Sequence, residues 1–381
     1  MKKQLLSAIW ITLAAVMPIA CARNSNPLVP SVNTTTTTPS TPVATAVATS
    51  VPTAVPTVQI TDANLRAAVA QVLYANAVLS SPTATITEQD MATLTSLVVD
   101  DAGVTSLEGL QYCTGLTDLE VSWNNITNLA PISGLTGLNT LDVSGNPVAS
   151  LASISSLTNL TSLYIGYTSV TTLTAVAGLK NLQDLEVYNT SISDLTPVTG
   201  LTQLVELNAD ADQITTIPTG MNALTNLQDL ELFSNPLTTI PNLSGCVALQ
   251  SLVVDSCQIT DISPVTFIAN LELLSADGNP LNATLPNLSG MTKLMYLELD
   301  NCGLTNIAGL SGMTGLEILS LNSDKVNNID PLVSAYNAGS LTAGYASIDL
   351  TGNPMDGVNA NTDWSFLTGH GVNMQGTQPV Q

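Results

Sequence analysis

The chain has very few positive charges. Among its 381 residues, 7 are lysine or arginine and 29 are aspartate or glutamate, which gives a net charge of −22. A chain this acidic repels phosphate backbones, so the composition argues against a nucleic-acid partner. A cationic protein, a cationic polymer or Ca²⁺ fits this charge, and so does an acidic surface that only keeps the protein soluble.

Residues that usually carry out acid–base or metal chemistry are also scarce. His370 is the single histidine, and the sequence has no cysteine and histidine spacing typical of a metal site. It also has no GxSxG nucleophile motif and no phosphate-binding loop. We therefore predict that the protein is not an enzyme and needs no cofactor. Ca²⁺ is the one metal ion that the acidic residues are suited to bind.

The N-terminus has the features of an export signal. Lys2 and Lys3 precede LLSAIWITLAAVMPIA, an apolar stretch too short for a spanning helix. This stretch ends in PIAC and resembles a bacterial lipoprotein signal, although Pro18 stands where leucine or valine is usual. The resemblance implies lipidation of Cys21 and a lipid-anchored protein at the cell envelope. Ordinary cleavage before Cys21 or after Ala22 would instead release a secreted protein.

A segment rich in threonine and proline follows the leader. It includes NTTTTTPSTPVATAVATSVPTAVPT, which carries almost no charge and little bulky apolar surface. Such a stretch cannot bury enough apolar surface to offset the entropy of ordering it. Its prolines favour an extended chain, so it is predicted to be a disordered stalk.

A repeat dominates the rest of the chain. The units begin with the pattern LxxLxLxx, in which Val, Ile or Ala often replaces the third leucine, and all but the first continue with Asn, Cys, Thr or Asp. They are 22 residues apart, or 23 after Leu204 and Leu271. The units start at Leu94, Leu116, Leu138, Leu160, Leu182, Leu204, Leu227, Leu249, Leu271, Leu294 and Leu316. This pattern resembles the leucine-rich repeat, and motifs such as ITNLAPISGLTGL resemble those of bacterial internalin-like surface proteins.

The resemblance implies a repeat solenoid of the α/β class. We expect a leucine-rich repeat horseshoe with a parallel concave β-sheet, a convex side of short 3-10 or irregular segments, and a helical N-terminal cap. The apolar positions of LxxLxL would face the core, and the ninth residue would turn the chain. The predicted segments are a signal peptide (1–20), a stalk (21–58), the N-terminal cap (59–93), eleven repeats (94–337), and a half-repeat with a cap (338–381).

The ends of such an array need covering, because an open end exposes the core. In the N-terminal segment, Asp62 is a predicted helix N-cap, and Thr87 with Asp90 forms a predicted capping box. At the other end, an irregular linker is expected before the half-repeat of residues 345–355.

Of the repeat cysteines, Cys257 and Cys302 share one position two repeats apart. That separation is about 9.6 Å at the usual strand spacing, too far for a disulfide. Cys113 and Cys246 share another position, six repeats apart, so all four are predicted to be buried free thiols.

The outward strand positions are expected to form one continuous face, which is the candidate binding surface. Acids recur at the third and fifth positions of the repeats, and most of the outward aromatic residues, including Tyr167, accompany them. Aromatic residues are enriched at binding hot spots, although acids on a sheet face can also serve only to prevent aggregation. The predicted partner-binding residues are Asp118, Glu120, Trp123, Asp142, Tyr164, Asp184, Glu186, Tyr188, Glu206, Asp229, Glu231, Phe233, Tyr296 and Glu298.

The predicted function follows from the resemblance and this surface. Internalin-like proteins are adhesion and recognition proteins, so we expect a monomer that binds a protein or a cationic polymer through its acidic, aromatic-containing concave face. Its contact with the membrane would be through the N-terminal lipid only. The alternative is a structural or calcium-responsive envelope lipoprotein without a specific partner.

Overall fold

The computed structural model describes residues 55–342 and 344–378. The predicted signal peptide, Cys21 and most of the predicted stalk lie outside the described residues. Within the described ranges, no helix has both the length and the apolar character that crossing a membrane requires.

One parallel sheet runs through the described part of the chain. Its thirteen strands within residues 55–378 follow one another in sequence order, and each pairs with the next in parallel. The strands are β1 (Ser96–Val98), β2 (Asp118–Glu120), β3 (Thr140–Asp142), β4 (Ser162–Tyr164), β5 (Asp184–Glu186), β6 (Glu206–Asn208), β7 (Asp229–Glu231), β8 (Ser251–Val253), β9 (Leu273–Ser275), β10 (Tyr296–Glu298), β11 (Ile318–Ser320), β12 (Ser347–Asp349) and β13 (Asn373–Gln375). The predicted solenoid on a parallel sheet is confirmed.

The core consists of the apolar repeat positions. In the repeat that contains β3, Leu138, Leu141 and Val143 are completely buried, and Val148 of the return segment is buried with them. The same positions pair across strands, so Leu141 lies beside Leu119 and Leu163. Burying one such side chain contributes roughly 1.5–3 kcal/mol. No repeat could bury this face alone, and the stability therefore depends on neighbouring repeats.

The ninth repeat position forms a buried hydrogen-bond ladder. The side-chain amide of Asn146 donates to the carbonyl oxygens of Val121 at 2.8 Å and Val143 at 3.0 Å, and its oxygen accepts the N–H of Ile126 at 2.9 Å. Asn124, Asn235 and Asn279 repeat this arrangement. The prediction that this residue supports the turn is confirmed, because it satisfies backbone groups that would otherwise be buried unpaired.

The return side of most repeats contains one short 3-10 helix. Pro131, Pro197 and Pro264 lie in the first turn of such helices, where their missing N–H costs no hydrogen bond. The 3-10 helices are Leu110–Tyr112, Ala130–Ile132, Ala152–Ile154, Thr174–Gly178, Thr196–Val198, Thr219–Ala223, Ser263–Phe267 and Ala308–Leu310.

Two helices cover the N-terminal end of the repeats. Helix α1 (Ala63–Ala75) buries Leu65, Val69 and Leu73, and the carboxylate of Asp62 caps its first turn. Helix α2 (Glu88–Met91) begins with the Thr87 and Asp90 capping box. Both predicted caps are confirmed.

The C-terminal end differs from the expectation. Helix α3 (Asp330–Ala338) lies at the end of the last predicted full repeat, where a short 3-10 or irregular segment was expected. Residues 339–342, in the expected irregular linker, form no helix or strand. Helix α4 (Ala360–Gly369) then leads to β13, which extends the sheet one strand beyond the predicted half-repeat. The sequence signal for β13 is weak because NMQ lacks the leucine pattern. The ring of Phe366 packs against Tyr336, which joins α4 to α3.

The four cysteines within the described residues are buried free thiols, as predicted. Burial raises the pKa of Cys257 to about 11 and that of Cys302 to about 12. Neutral thiols of this kind act as small apolar side chains.

Candidate functional site

The candidate site lies on the strand face, defined as the side chains at repeat positions 3 and 5 of the strands and position 7 just beyond them. In-register pairing places equivalent positions side by side. At position 5, Glu120 lies beside Asp142, Asp142 beside Tyr164, and Tyr164 beside Glu186. At position 3, Asp184 lies beside Glu206, and Glu206 beside Asp229. The sheet therefore stacks carboxylates that the sequence spaces 22 or 23 residues apart.

The structure gathers most of the predicted binding residues into one region. All the predicted acids are half-buried. Those on β2, β3, β5, β6 and β7 lie on a run of six neighbouring strands, to which β4 contributes Tyr164. Tyr296 and Glu298 lie on β10, three strands beyond β7, and so are separate from this region. The acidic row is defined from here on as the strand-face acids of β2 to β7.

The centre of the acidic row is electrostatically strained. Asp184, Glu186 and Glu206 each offer an oxygen atom, and these atoms lie within 4.8 Å of one another. Burial, together with the charges of Asp184 and Glu206, raises the pKa of Glu186 to about 7. Burial and the neighbouring acids likewise raise the pKa of Glu206 to about 7. A cation placed here would relieve this repulsion, and carboxylate oxygens of this kind suit a hard metal ion such as Ca²⁺.

Neutral side chains separate parts of the acidic row and fix individual carboxylates. The hydroxyl of Tyr164 donates to Oδ2 of Asp184 at 2.5 Å. The side-chain amide of Asn208 donates to Oε2 of Glu231 at 2.7 Å. These bonds hold the two acids in defined positions, which pre-organises the surface for a ligand.

The aspartates at position 7 have a structural role that the sequence analysis missed. Oδ1 of Asp255 accepts the backbone N–H of Asp277 at 2.8 Å, and Oδ1 of Asp277 accepts that of Asp300 at 2.6 Å. Asp300 in turn accepts the N–H of Asn322 at 2.6 Å. Each carboxylate thus caps the end of the following strand. The recurrence of aspartate at one repeat position was the available signal, since its short side chain reaches only the adjacent backbone.

An aromatic cluster lies at the strand ends beside the acidic row, and we define it as Trp123, Tyr167 and Tyr188. The ring centroids of Trp123 and Tyr167 are 5.3 Å apart, and those of Tyr167 and Tyr188 are 5.4 Å apart in an edge-to-face arrangement. Trp123 is 52% exposed and Tyr167 is 48% exposed. Tyr167 belongs to this cluster although the prediction of binding residues left it out.

Two glycines provide the space for these rings. A β-carbon at Gly145 would lie 2.6 Å from Cδ2 of Trp123, and one at Gly166 would lie 2.7 Å from Cζ of Tyr188. The aromatic cluster therefore depends on glycine at positions 145 and 166, because any side chain there would occupy the space of a ring. Phe233, the remaining predicted aromatic of this region, follows β7 and is exposed.

The strand face is not open along its whole length, contrary to the expectation of a continuous surface. Ser251, Leu273 and Ser275 occupy outward positions but are buried. Ser275 is short, and its hydroxyl donates to Asp255 at 2.6 Å and to Glu298 at 3.3 Å, so the longer acids lie over it. Tyr296 and Glu298 are half-buried beyond this closed part, and the larger group of accessible acids is on β2 to β7.

The comparisons with known proteins agree with this architecture. The family model described as Leucine Rich repeats (2 copies) matches residues 225–266. No curated protein matches the chain.

Solved structures of Listeria monocytogenes proteins are similar to the chain. An internalin (InlF) of strain 4b F2365 has 26% identity and a TM-score of 0.72, and the match covers 83% of this chain and 90% of that one. Internalin C2 of the same strain has 31% identity and a TM-score of 0.53, over 58% of this chain and 93% of that one. The functional domain of InlJ, which includes a cysteine ladder, has 24% identity and a TM-score of 0.54, over 77% of this chain and 69% of that one.

These relatives set the general class of the protein. Leucine-rich repeat proteins are generally non-enzymatic scaffolds that bind other proteins, and internalin-like proteins are typically at the cell surface or secreted. The repeats, the parallel sheet and the match over nearly all of internalin C2 lead to one conclusion. The chain belongs to the internalin-like family of bacterial leucine-rich repeat proteins.

Proposed function

We propose that this protein is displayed at the cell surface and binds a protein or polymer that carries positive charge. The observation that carries the proposal is the acidic row, in which half-buried carboxylates stack on neighbouring strands from β2 to β7. Like charges placed side by side on a sheet are destabilising. A cationic ligand would convert this unfavourable arrangement into binding free energy.

The position of the basic residues supports the proposal. The chain places no lysine or arginine at strand positions 3, 5 or 7 of the repeats. Arg66 donates to the carbonyl of Ala84, Lys180 to the carbonyl of Gly200, and Lys293 to the side-chain oxygen of Asn270. Three of the four lysines and arginines within the described residues thus interact with neutral oxygens, and the fourth, Lys325, lies at repeat position 10. The positive charge that complements the acidic row would therefore come from a partner.

The dimensions of the acidic row suit a protein ligand. Six strands at a spacing of about 4.8 Å form a surface roughly 25 Å long. Stable protein interfaces bury about 800 Å² on each partner, so the acidic row would form the centre of such an interface rather than all of it. The row together with the aromatic cluster offers a polar surface with aromatic anchors, which is the usual composition of a binding hot spot and its surroundings.

Capture of surface proteins or polymers by the immobilised chain tests the proposal. In the test variant, Glu120, Glu186 and Glu231 are changed to glutamine. In the control variant, Glu88, Glu108 and Glu272 are changed to glutamine, which alters the net charge equally outside the strand face. We expect the control to capture the same partner as the wild type, whereas the test variant loses it. Unchanged capture by the test variant would contradict a role for the acidic row.

A calcium-responsive envelope protein is the second candidate function. The three oxygens of Asp184, Glu186 and Glu206 within 4.8 Å of one another favour it. Isothermal calorimetry with Ca²⁺ separates the two candidates. Heat of binding together with a higher melting temperature would support the calcium function, and the absence of both would eliminate it.

We further propose that Cys21 is lipidated and anchors the protein, with the residues that follow acting as a stalk. The support is the sequence alone, since Cys21 lies outside the described residues. Mass spectrometry of the mature N-terminus tests this proposal. Diacylglycerol on Cys21 would show anchoring, whereas an unmodified N-terminus would show a secreted protein.

A further inference from the structure

Two residues of the aromatic cluster adopt a backbone conformation that large side chains avoid. Trp123 and Tyr167 both occupy repeat position 8, and both have φ of 54°. The same position holds glycine, asparagine or serine in most other repeats, for example Gly145, Asn189 and Ser234, also at positive φ. Small or amide residues satisfy this turn at lower cost. The geometry of the turn therefore does not explain why these two positions hold aromatic residues.

The rings are also held in place. Tyr167 packs between Trp123 and Tyr188, and the missing β-carbons of Gly145 and Gly166 leave room for the two outer rings. Trp123 and Tyr167 nevertheless expose about half of their surface. A rigid but exposed group of aromatic rings is pre-organised for contact with a ligand.

Carboxylates share the strand face with these rings. Tyr188 follows Glu186 by two residues, so both side chains lie on the same side of the chain, and Asp142 and Glu186 flank Tyr164 on the neighbouring strands. Burial raises the pKa of Tyr188 to about 12, and the charges of Glu186 and Asp142 add to this effect. Burial also raises the pKa of Asp142, to which the charge of Asp100 contributes. The faces of aromatic rings attract cations, and so do the neighbouring carboxylates. The chemistry of the site thus selects a positively charged group with a flat surface.

We infer that the aromatic cluster, with Asp142 and Glu186, binds an arginine side chain of the partner protein. This inference rests on the proposed function and specifies the partner's chemistry. A guanidinium group is planar, stacks on aromatic rings and pairs with carboxylates, whereas the ammonium of lysine is more strongly hydrated. A neutral sugar could stack on Trp123 but would leave the repulsion among the acids unchanged.

Tryptophan fluorescence of the chain provides the first test. Trp364 is buried, so Trp123 is the tryptophan of the described residues that a ligand can reach. The probe is a glycine-serine peptide with two arginines, and the control peptide carries citrulline, a neutral isostere of arginine, at both positions. We expect saturable binding of the arginine peptide that is at least about tenfold tighter than that of the citrulline peptide, which corresponds to about 1.4 kcal/mol. Equal binding of the two peptides would overturn the inference.

Variants then separate the rings from the general negative charge. Tyr167→Ala removes the central ring, and Tyr74→Ala removes a tyrosine of α1 that is similarly exposed, at 45%. Tyr167→Ala should weaken binding of the arginine peptide about fivefold or more, consistent with the usual strength of a cation–π contact. Tyr74→Ala should leave it unchanged. Gly166→Ala, which displaces the ring of Tyr188, provides a second variant and should also weaken binding.

Two further results would overturn the inference. Unchanged binding by folded Tyr167→Ala and Gly166→Ala would show that the acids act alone. Tighter binding of cellotetraose than of the arginine peptide would identify a sugar site instead. Neither result affects the capture experiment with the glutamate variants, so failure of this inference is distinguishable from failure of the proposed function.

Discussion

The ring of Tyr188 lies over Gly166, where a β-carbon would be 2.7 Å from Cζ of the tyrosine. Any other residue at 166 would have to displace the ring or the strand end. We expect Gly166→Ala to destabilise the protein by about 1–3 kcal/mol, the usual cost of overpacking. Thermal unfolding and the near-ultraviolet circular dichroism of the aromatic residues would measure the effect. Gly134→Ala is the matched control, because no atom lies within 4 Å of the added carbon. Equal stability of the two variants would show that the ring moves without cost.

The left-handed backbone at Tyr167 predicts an unusual order of stability. Tyr167→Gly and Tyr167→Ala remove the same ring contacts, but alanine keeps the unfavourable φ of 54° and glycine does not. We expect the glycine variant to be more stable than the alanine variant by about 1 kcal/mol. Denaturant titration measures this difference. If alanine were as stable as glycine, the backbone at position 8 would carry no strain.

The acidic row predicts that stability falls as pH rises. Burial and neighbouring acids raise the pKa of Glu186 to about 7 in the folded chain, against about 4.3 for an exposed glutamate. Between these values the folded state holds more protons than the unfolded state, so the free energy of unfolding decreases with rising pH. We expect a lower melting temperature at about pH 8 than at about pH 5.

Glu186→Gln tests the origin of this pH dependence. Glutamine cannot ionise, so the variant should melt higher than the wild type at about pH 8, by roughly 2 °C or more, and show little difference at about pH 5. Glu108→Gln removes an exposed acid away from the strand face and serves as the control. If Glu186→Gln changed the melting temperature equally at both pH values, the electrostatic explanation would be contradicted.

The aspartates at repeat position 7 should stabilise the fold because their oxygen atoms accept hydrogen bonds, and not because they are charged. Oδ1 of Asp277 accepts the N–H of Asp300, and burial raises the pKa of Asp277 to about 8. Asp277→Asn keeps an acceptor and removes a charge, so it should be at least as stable as the wild type at about pH 8. Asp277→Ala leaves the N–H without its acceptor and should lose about 1–3 kcal/mol. Chemical denaturation of both variants compares them, and a less stable asparagine variant would show that the charge itself is required.

The sequence predicted those parts of the fold that repeat. Leucine positions such as Leu141 and ninth-position residues such as Asn146 recur with a fixed spacing, so their burial and hydrogen bonds could be inferred. Helix α3 and strand β13 could not, because they break the period and depend on contacts between distant segments such as Tyr336 and Phe366.

The candidate site was predictable only in part. The outward acids followed from the alternation of side chains along a strand, as did the position of Tyr188. The packing of Tyr167 between two rings depends on left-handed turns and on glycines in adjacent repeats, which a single repeat does not reveal. The burial of Ser275 likewise results from longer acids on neighbouring strands.

Carboxyl footprinting with mass spectrometry, on the chain alone and with its captured partner, tests the central claim most directly. Each carboxylate reports its own accessibility. We predict that the partner protects Glu120, Glu186 and Glu231, while Glu108 and Glu272 label equally in both states. Protection confined to acids outside the strand face, or no change at Glu186, would contradict binding through the acidic row.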